Sequence, residues 1–134
     1  MSKPVLFTAM LLASLGISAA DLSTHAERTA FNETGRYVEV EQLCQRFAQT
    51  HPVLAANMQG VLTPEAAAAA KLPVTLIQGG IHAGEIDGKD AGFLVLREML
   101  NNPGPNNPLN KQVLLFVPVF NVDGHERFGA WNRP

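Results

Sequence analysis

The sequence contains a single cysteine, Cys44, which excludes an intrachain disulfide framework whatever compartment the chain occupies. A nucleophilic role would need surroundings that lower the thiol pKa. Val40, Leu43, Cys44 and Phe47 instead recur at i, i+3, i+4 and i+7, which puts the sulfur on the apolar face of a helix as a small hydrophobe. Charge is also sparse. Lys and Arg number 10 against 12 Asp and Glu, with no basic run, so the electrostatic footprint of a nucleic-acid binder is missing. With 46 % hydrophobic residues the chain is no candidate for disorder. There is no internal repeat, and a chain of 134 residues has room for one small core, burying about two-thirds of its unfolded surface.

A long membrane-spanning run is absent too. The apolar stretch at residues 5–17 is too short to cross a bilayer. Lys3 precedes it and Ser18-Ala19-Ala20 follows, with polar Asp21-Leu22-Ser23-Thr24 beyond. A membrane anchor or a buried helix is the alternative, but the small-residue site favours a signal peptide over residues 1–20. The expected mature chain begins at Asp21, is periplasmic or secreted, and makes no membrane contact after cleavage.

Residues 24–35 are polar and read as irregular, whereas residues 37–50 form the amphipathic helix just described, stopped by His51-Pro52. Thr63-Pro64-Glu65 supplies an N-cap, a first-turn proline and an acid ahead of five alanines. The pattern then changes. Val74-Thr75-Leu76-Ile77 is a short β-branched run closed by Gly79-Gly80 and reads as a buried strand. Asp87 is the expected N-cap of the next helix, with Asp90 as a first-turn charge and an apolar face from Phe93, Leu94, Val95, Leu96, Met99 and Leu100. Asn101-Asn102-Pro103-Gly104 stops it. Residues 113–119 are almost continuously apolar, as in a strand covered on both faces, and Pro118 marks that strand's end. Residues 73–120 therefore form one strand, helix, strand crossover with parallel strands.

In open α/β sheets ligands sit beyond the carboxyl ends of the strands, and Ile81-His82-Ala83-Gly84-Glu85 lies at such an end. His82 and Glu85, three residues apart across a turn, can bring an imidazole nitrogen and a carboxylate oxygen to one point, and both are zinc ligand types. The blander possibility is a strand-end histidine on a backbone carbonyl and an acid favoured at a helix start. His125-Glu126 has no second histidine four residues on, because position 129 is Gly, so it is not the helical zinc-protease motif.

Gly79-Gly80-Ile81-His82-Ala83-Gly84-Glu85-Ile86-Asp87-Gly88-Lys89-Asp90-Ala91-Gly92, followed by Pro118-Val119-Phe120-Asn121-Val122-Asp123-Gly124-His125-Glu126-Arg127, resembles the zinc carboxypeptidase family. Residues 34–52 are similar to that family's first helix, so the likeness covers most of residues 24–134. It implies an α/β fold with a mixed, mainly parallel sheet and helices on both faces, incomplete here, with residues 21–134 forming the N-terminal part of the catalytic domain. It also implies a zinc cofactor held by His82, Glu85 and a later histidine, and a peptide or peptide-like substrate. In the family, zinc activates water, a glutamate acts as base, an arginine stabilises the oxyanion and an Asn-Arg pair holds the substrate carboxylate. None of these later groups is placed in this sequence, and Arg127 and Arg133 are assigned no role. Asn121-Val122-Asp123-Gly124 matches the family's Asn-Pro-Asp-Gly turn at three of four positions and reads as structural.

Two departures stand out. Residues 53–62 are too short for the family's usual hairpin and lack its Gly-Arg signature, and the sequence stops before the third ligand. The expected function is C-terminal peptide hydrolysis, with these residues inactive by themselves. A related zinc-dependent N-acyl amino acid deacylase, or a remnant without turnover, is the alternative.

Overall fold

The computed structural model describes residues 22–51, 63–102, 104–129 and 131–132. The expected leader at 1–20 and the segment 53–62 fall outside the described residues. Among the described residues the α-helices and strands follow in chain order: α1 His25–Arg28, α2 Tyr37–Thr50, α3 Pro64–Ala69, β1 Val74–Gln78, α4 Asp87–Asn101, β2 Val113–Val117 and α5 Val122–His125, with a 3-10 turn at Pro108–Asn110 ahead of β2.

The first of these corrects the sequence reading, because residues 24–35 are not wholly irregular. Thr24 and Glu27 form a capping box: Thr24 Oγ1 accepts from the Glu27 amide at 3.2 Å and Glu27 Oε2 from the Thr24 amide at 2.9 Å. Together they satisfy two donors that a helix start otherwise leaves orphaned. The same carboxylate receives both ends of the Arg97 guanidinium on α4, Nη1 donating to Oε2 at 3.0 Å and Nη2 to Oε1. Arg97 Nη1 also donates to the Leu22 carbonyl at 3.1 Å, so α1 and its lead-in are tied to α4. The Arg97 guanidinium holds the Glu27 carboxyl below its ordinary range, against the opposing effect of burial. A carboxyl depressed on folding adds stability above its unfolded pKa of about 4.3 and loses it as pH falls through the lower folded value. Thermal unfolding between neutral pH and pH 3 should therefore show an acid loss that Glu27→Gln reduces; an unchanged pH profile in the variant would contradict this.

Apolar spacing places α2 against the core through Val40, Leu43 and Phe47. Cys44, expected with them, is exposed. The buried stripe is narrower than the i+4 pattern implied, and the thiol lies at its margin beside an apolar hollow shared with Phe47, Ala48, Leu76 and Leu115. Desolvation by these neighbours pushes the thiol pKa up, which opposes nucleophilic chemistry. Helix α3 starts as the sequence predicts, Thr63 Oγ1 accepting from the Ala66 amide at 3.1 Å with Pro64 in the first turn.

Strands β1 and β2 pair in parallel, Val74 opposite Val113 through Gln78 opposite Val117, with α4 as the intervening crossover. This is the expected α/β arrangement, realised among the described residues as a two-stranded sheet. Phe93 of α4 bridges the layers: its ring stacks on Phe47 of α2 at 5.7 Å and meets Phe116 of β2 edge-on at 5.4 Å. Leu22, Val40, Leu43, Leu96, Leu100, Leu109, Leu114 and Val119 complete the core with these rings.

Two strand expectations are corrected. Strand β1 is exposed throughout rather than buried, and on β2 only Val113 and Leu114 are buried while Leu115 is 47 % exposed. A continuous apolar run establishes the need for cover, and cover comes from other elements. The start of α4 also differs. Ile86 occupies the cap position without a side-chain hydrogen bond and Asp87 is the first helical residue, while Asp90 lies in the first turn as expected and is buried there. At the other end Asn107 Nδ2 donates to the Asn102 carbonyl at 2.9 Å, satisfying a terminal acceptor from outside the helix.

Candidate metal centre

At the carboxyl end of β1 the chain makes a close backbone approach that only glycine permits. The strand-like pattern continues past the strands, with Gly79 N donating to Val117 O at 2.9 Å, Phe120 N to Gly79 O at 3.0 Å and Asn121 N to Gly80 O at 2.9 Å. A Cβ on Gly79 would stand 2.7 Å from Pro118 O, and Gly80 has a φ of +59° with Val119 Cα 3.2 Å from a Cβ site. Left-handed backbone here turns the chain away from the sheet and opens a hollow of about 610 Å³ lined in part by Gly80, Ile81, Gly84 and Glu85.

The turn that follows brings the two predicted residues together. Glu85 N donates to His82 O at 3.1 Å, closing a tight bend in which His82 Nδ1 lies 2.9 Å from Glu85 Oε1. The His82 amide also faces Glu85 Oε2 at 3.4 Å. Both side chains are solvent-accessible, 48 % for His82 and 33 % for Glu85, so the pair is open to a ligand.

The donor chemistry fits zinc. Nδ1 and Oε1 are hydrogen-bonded to each other at 2.9 Å. Two donors on one tetrahedral ion, each bonded at about 2.0–2.1 Å, lie about 3.3 Å apart, so the pair would part by a few tenths of an ångström to take the ion between them. The pair fills part of a coordination shell only, since no group of three or more His, Cys, Asp or Glu able to hold a metal ion occurs among the described residues.

The profile of the zinc carboxypeptidase family matches residues 23–134. This chain belongs to the zinc carboxypeptidase family. No curated protein and no solved structure matches it.

Other polar residues of this zinc carboxypeptidase chain have structural partners. His125 is 2 % exposed and its Nε2–H donates to Gly35 O at 3.1 Å, so it points into the fold. Asn121 caps α5, its Oδ1 accepting from Gly124 N at 2.9 Å; the Asn-Val-Asp-Gly segment, expected as a turn, is the cap and opening of this one-turn helix. Glu126 Oε1 accepts from Tyr37 N at 2.6 Å and Glu126 O from Arg36 at 2.8 Å, fastening this turn to α2. Arg127 is exposed and Arg133 lies outside the described residues. What the sequence reading missed is a buried charge cluster of Glu39, Lys89 and Asp90, whose one legible sign was three charges at positions otherwise facing the core.

Proposed function

We propose that His82 and Glu85 are two ligands of the catalytic zinc in an exported metallocarboxypeptidase that releases C-terminal residues from peptides. The observation carrying this reading is the convergence of His82 Nδ1 and Glu85 Oε1, 2.9 Å apart, at a strand's carboxyl end in a chain of the zinc carboxypeptidase family. Bound there, zinc would supply a nucleophilic water and polarise the scissile carbonyl. The chain's own part is to hold His82 and Glu85 on one tight turn, with Gly80 leaving room beside them. The third ligand, the general base and the groups gripping the substrate carboxylate come from outside the described residues. Export is part of the proposal: the leader 1–20 is removed and Leu22, the second residue of the mature chain, is buried in the core at 1 % exposure.

The test uses the product of the full reading frame, recovered from the exported fraction. Its N-terminus should be Asp21 and it should release the C-terminal residue of a blocked dipeptide, stopping on chelation and resuming with zinc. Chelator-resistant release, or an intact Met1 on a cytosolic protein, would contradict the reading.

A further inference from the structure

Lys89 lies four residues beyond Glu85, and its side chain is 0 % exposed. Its ammonium donates to Glu39 Oε2 on α2 at 3.0 Å and to Asp90 Oδ1 at 2.7 Å. Both carboxylates are engaged further. Thr34 Oγ1 donates to Asp90 Oδ2 at 2.6 Å, while Arg28 Nη2 donates to Glu39 Oε1 at 3.1 Å and the His25 amide to the same oxygen. Two cations thus meet two carboxylates. Such an arrangement gains little stability over an apolar packing of the same volume, because desolvation offsets most of the Coulomb attraction. What it does supply is direction: an ammonium held by two fixed carboxylates has one position.

That position closes the loop carrying His82 and Glu85. The outgoing limb at Gly79 and Gly80 is fixed by its hydrogen bonds to residues 117, 120 and 121. The returning limb rests on it, since a Cβ added to Gly79 would stand 3.4 Å from Gly88 C and 3.5 Å from Lys89 N. Helix α4 has no side-chain cap at Ile86, so its first turn lacks the usual local restraint. The Lys89 side chain anchors that turn from below, to α2.

We propose that Lys89, held by Glu39 and Asp90, is a positioning residue that sets the geometry of the His82–Glu85 turn. This rests on the reading of that pair as zinc ligands. Groups that orient metal ligands without touching the ion commonly change metal affinity about 10- to 100-fold when lost.

The experiment compares the product of the full reading frame with Lys89→Met and with Lys89→Met/Glu39→Gln. The double variant removes one charge of each sign, so it gives the reading if Lys89→Met alone does not fold. Zinc affinity is measured by chelator competition, the site by cobalt(II) absorption, and the fold by thermal unfolding without metal, all binding data being taken where each variant is folded. Zinc affinity is expected to fall about 10-fold or more, with a changed cobalt spectrum. Variants that lose thermal stability yet keep wild-type zinc affinity and cobalt spectrum would overturn the proposal and leave Lys89 a role in the fold alone. If His82→Ala, run beside them, kept wild-type zinc affinity, the metal assignment would fail instead.

Discussion

A polypeptide confined to residues 21–134 should release no C-terminal residue from a blocked dipeptide above background, with or without added zinc. Catalytic zinc sites use three protein ligands and a water, whereas His82 and Glu85 converge alone and no group of three occurs among the described residues. An ion held by two side chains keeps more solvent ligands and less constraint on where its water points. Loss of a general base typically costs a factor of about 10² to 10⁴, and loss of one oxyanion donor about 10² to 10³. Both groups act on one transition state, so their losses do not simply multiply, but together they push any residual rate towards background. His125 does not fill the gap, because it is buried and its Nε2 is committed to Gly35 O. Such a polypeptide should also self-associate, since Leu76, Ile77 and Leu115 expose 59 %, 44 % and 47 % of their surface on a two-stranded sheet. Chelator-sensitive turnover by a monodisperse sample would contradict the argument and would mean that a group left unassigned, such as Arg127, completes a site.

The parts legible in the sequence are those governed by neighbours along the chain. Thr63-Pro64 starts α3, Pro118 ends β2, and the Gly79-Gly80 break turns the chain into the His82–Glu85 bend, each by local backbone chemistry. The His82–Glu85 contact could be read for the same reason: three residues of separation across a turn suffice to bring the two side chains together. Features that depend on distant partners were not legible. Whether β1 is covered depends on what lies over it, and a run of β-branched residues does not say. The place of Asp90 in the first turn of α4 was legible, but its burial was not, because its partner Lys89 is itself paired with Glu39, fifty positions away. Cys44 sits at i+4 in an apolar pattern, yet the core contacts close at Val40, Leu43 and Phe47. The Thr24-x-x-Glu27 capping box is different. Its signature was present in four residues, and the polar composition around it obscured the signal.

The larger test concerns the proposal that His82 and Glu85 are zinc ligands. Both side chains are substantially exposed, 48 % and 33 %, so losing their ion pair should cost folding stability no more than about 1 kcal/mol. On the proposed reading metal binding should respond quite differently, because removing His82 and Glu85 takes away both donors assigned to the ion among the described residues. Fold and metal site are therefore separable in a single pair of samples. The measurement is the zinc content, after exhaustive dialysis, of the full-reading-frame product and of its His82→Ala/Glu85→Ala variant, with thermal unfolding of the metal-free forms as the control for folding. The account predicts stoichiometric zinc in the parent and none in a variant that melts within a few degrees of it; stoichiometric zinc retained by the folded variant would contradict it.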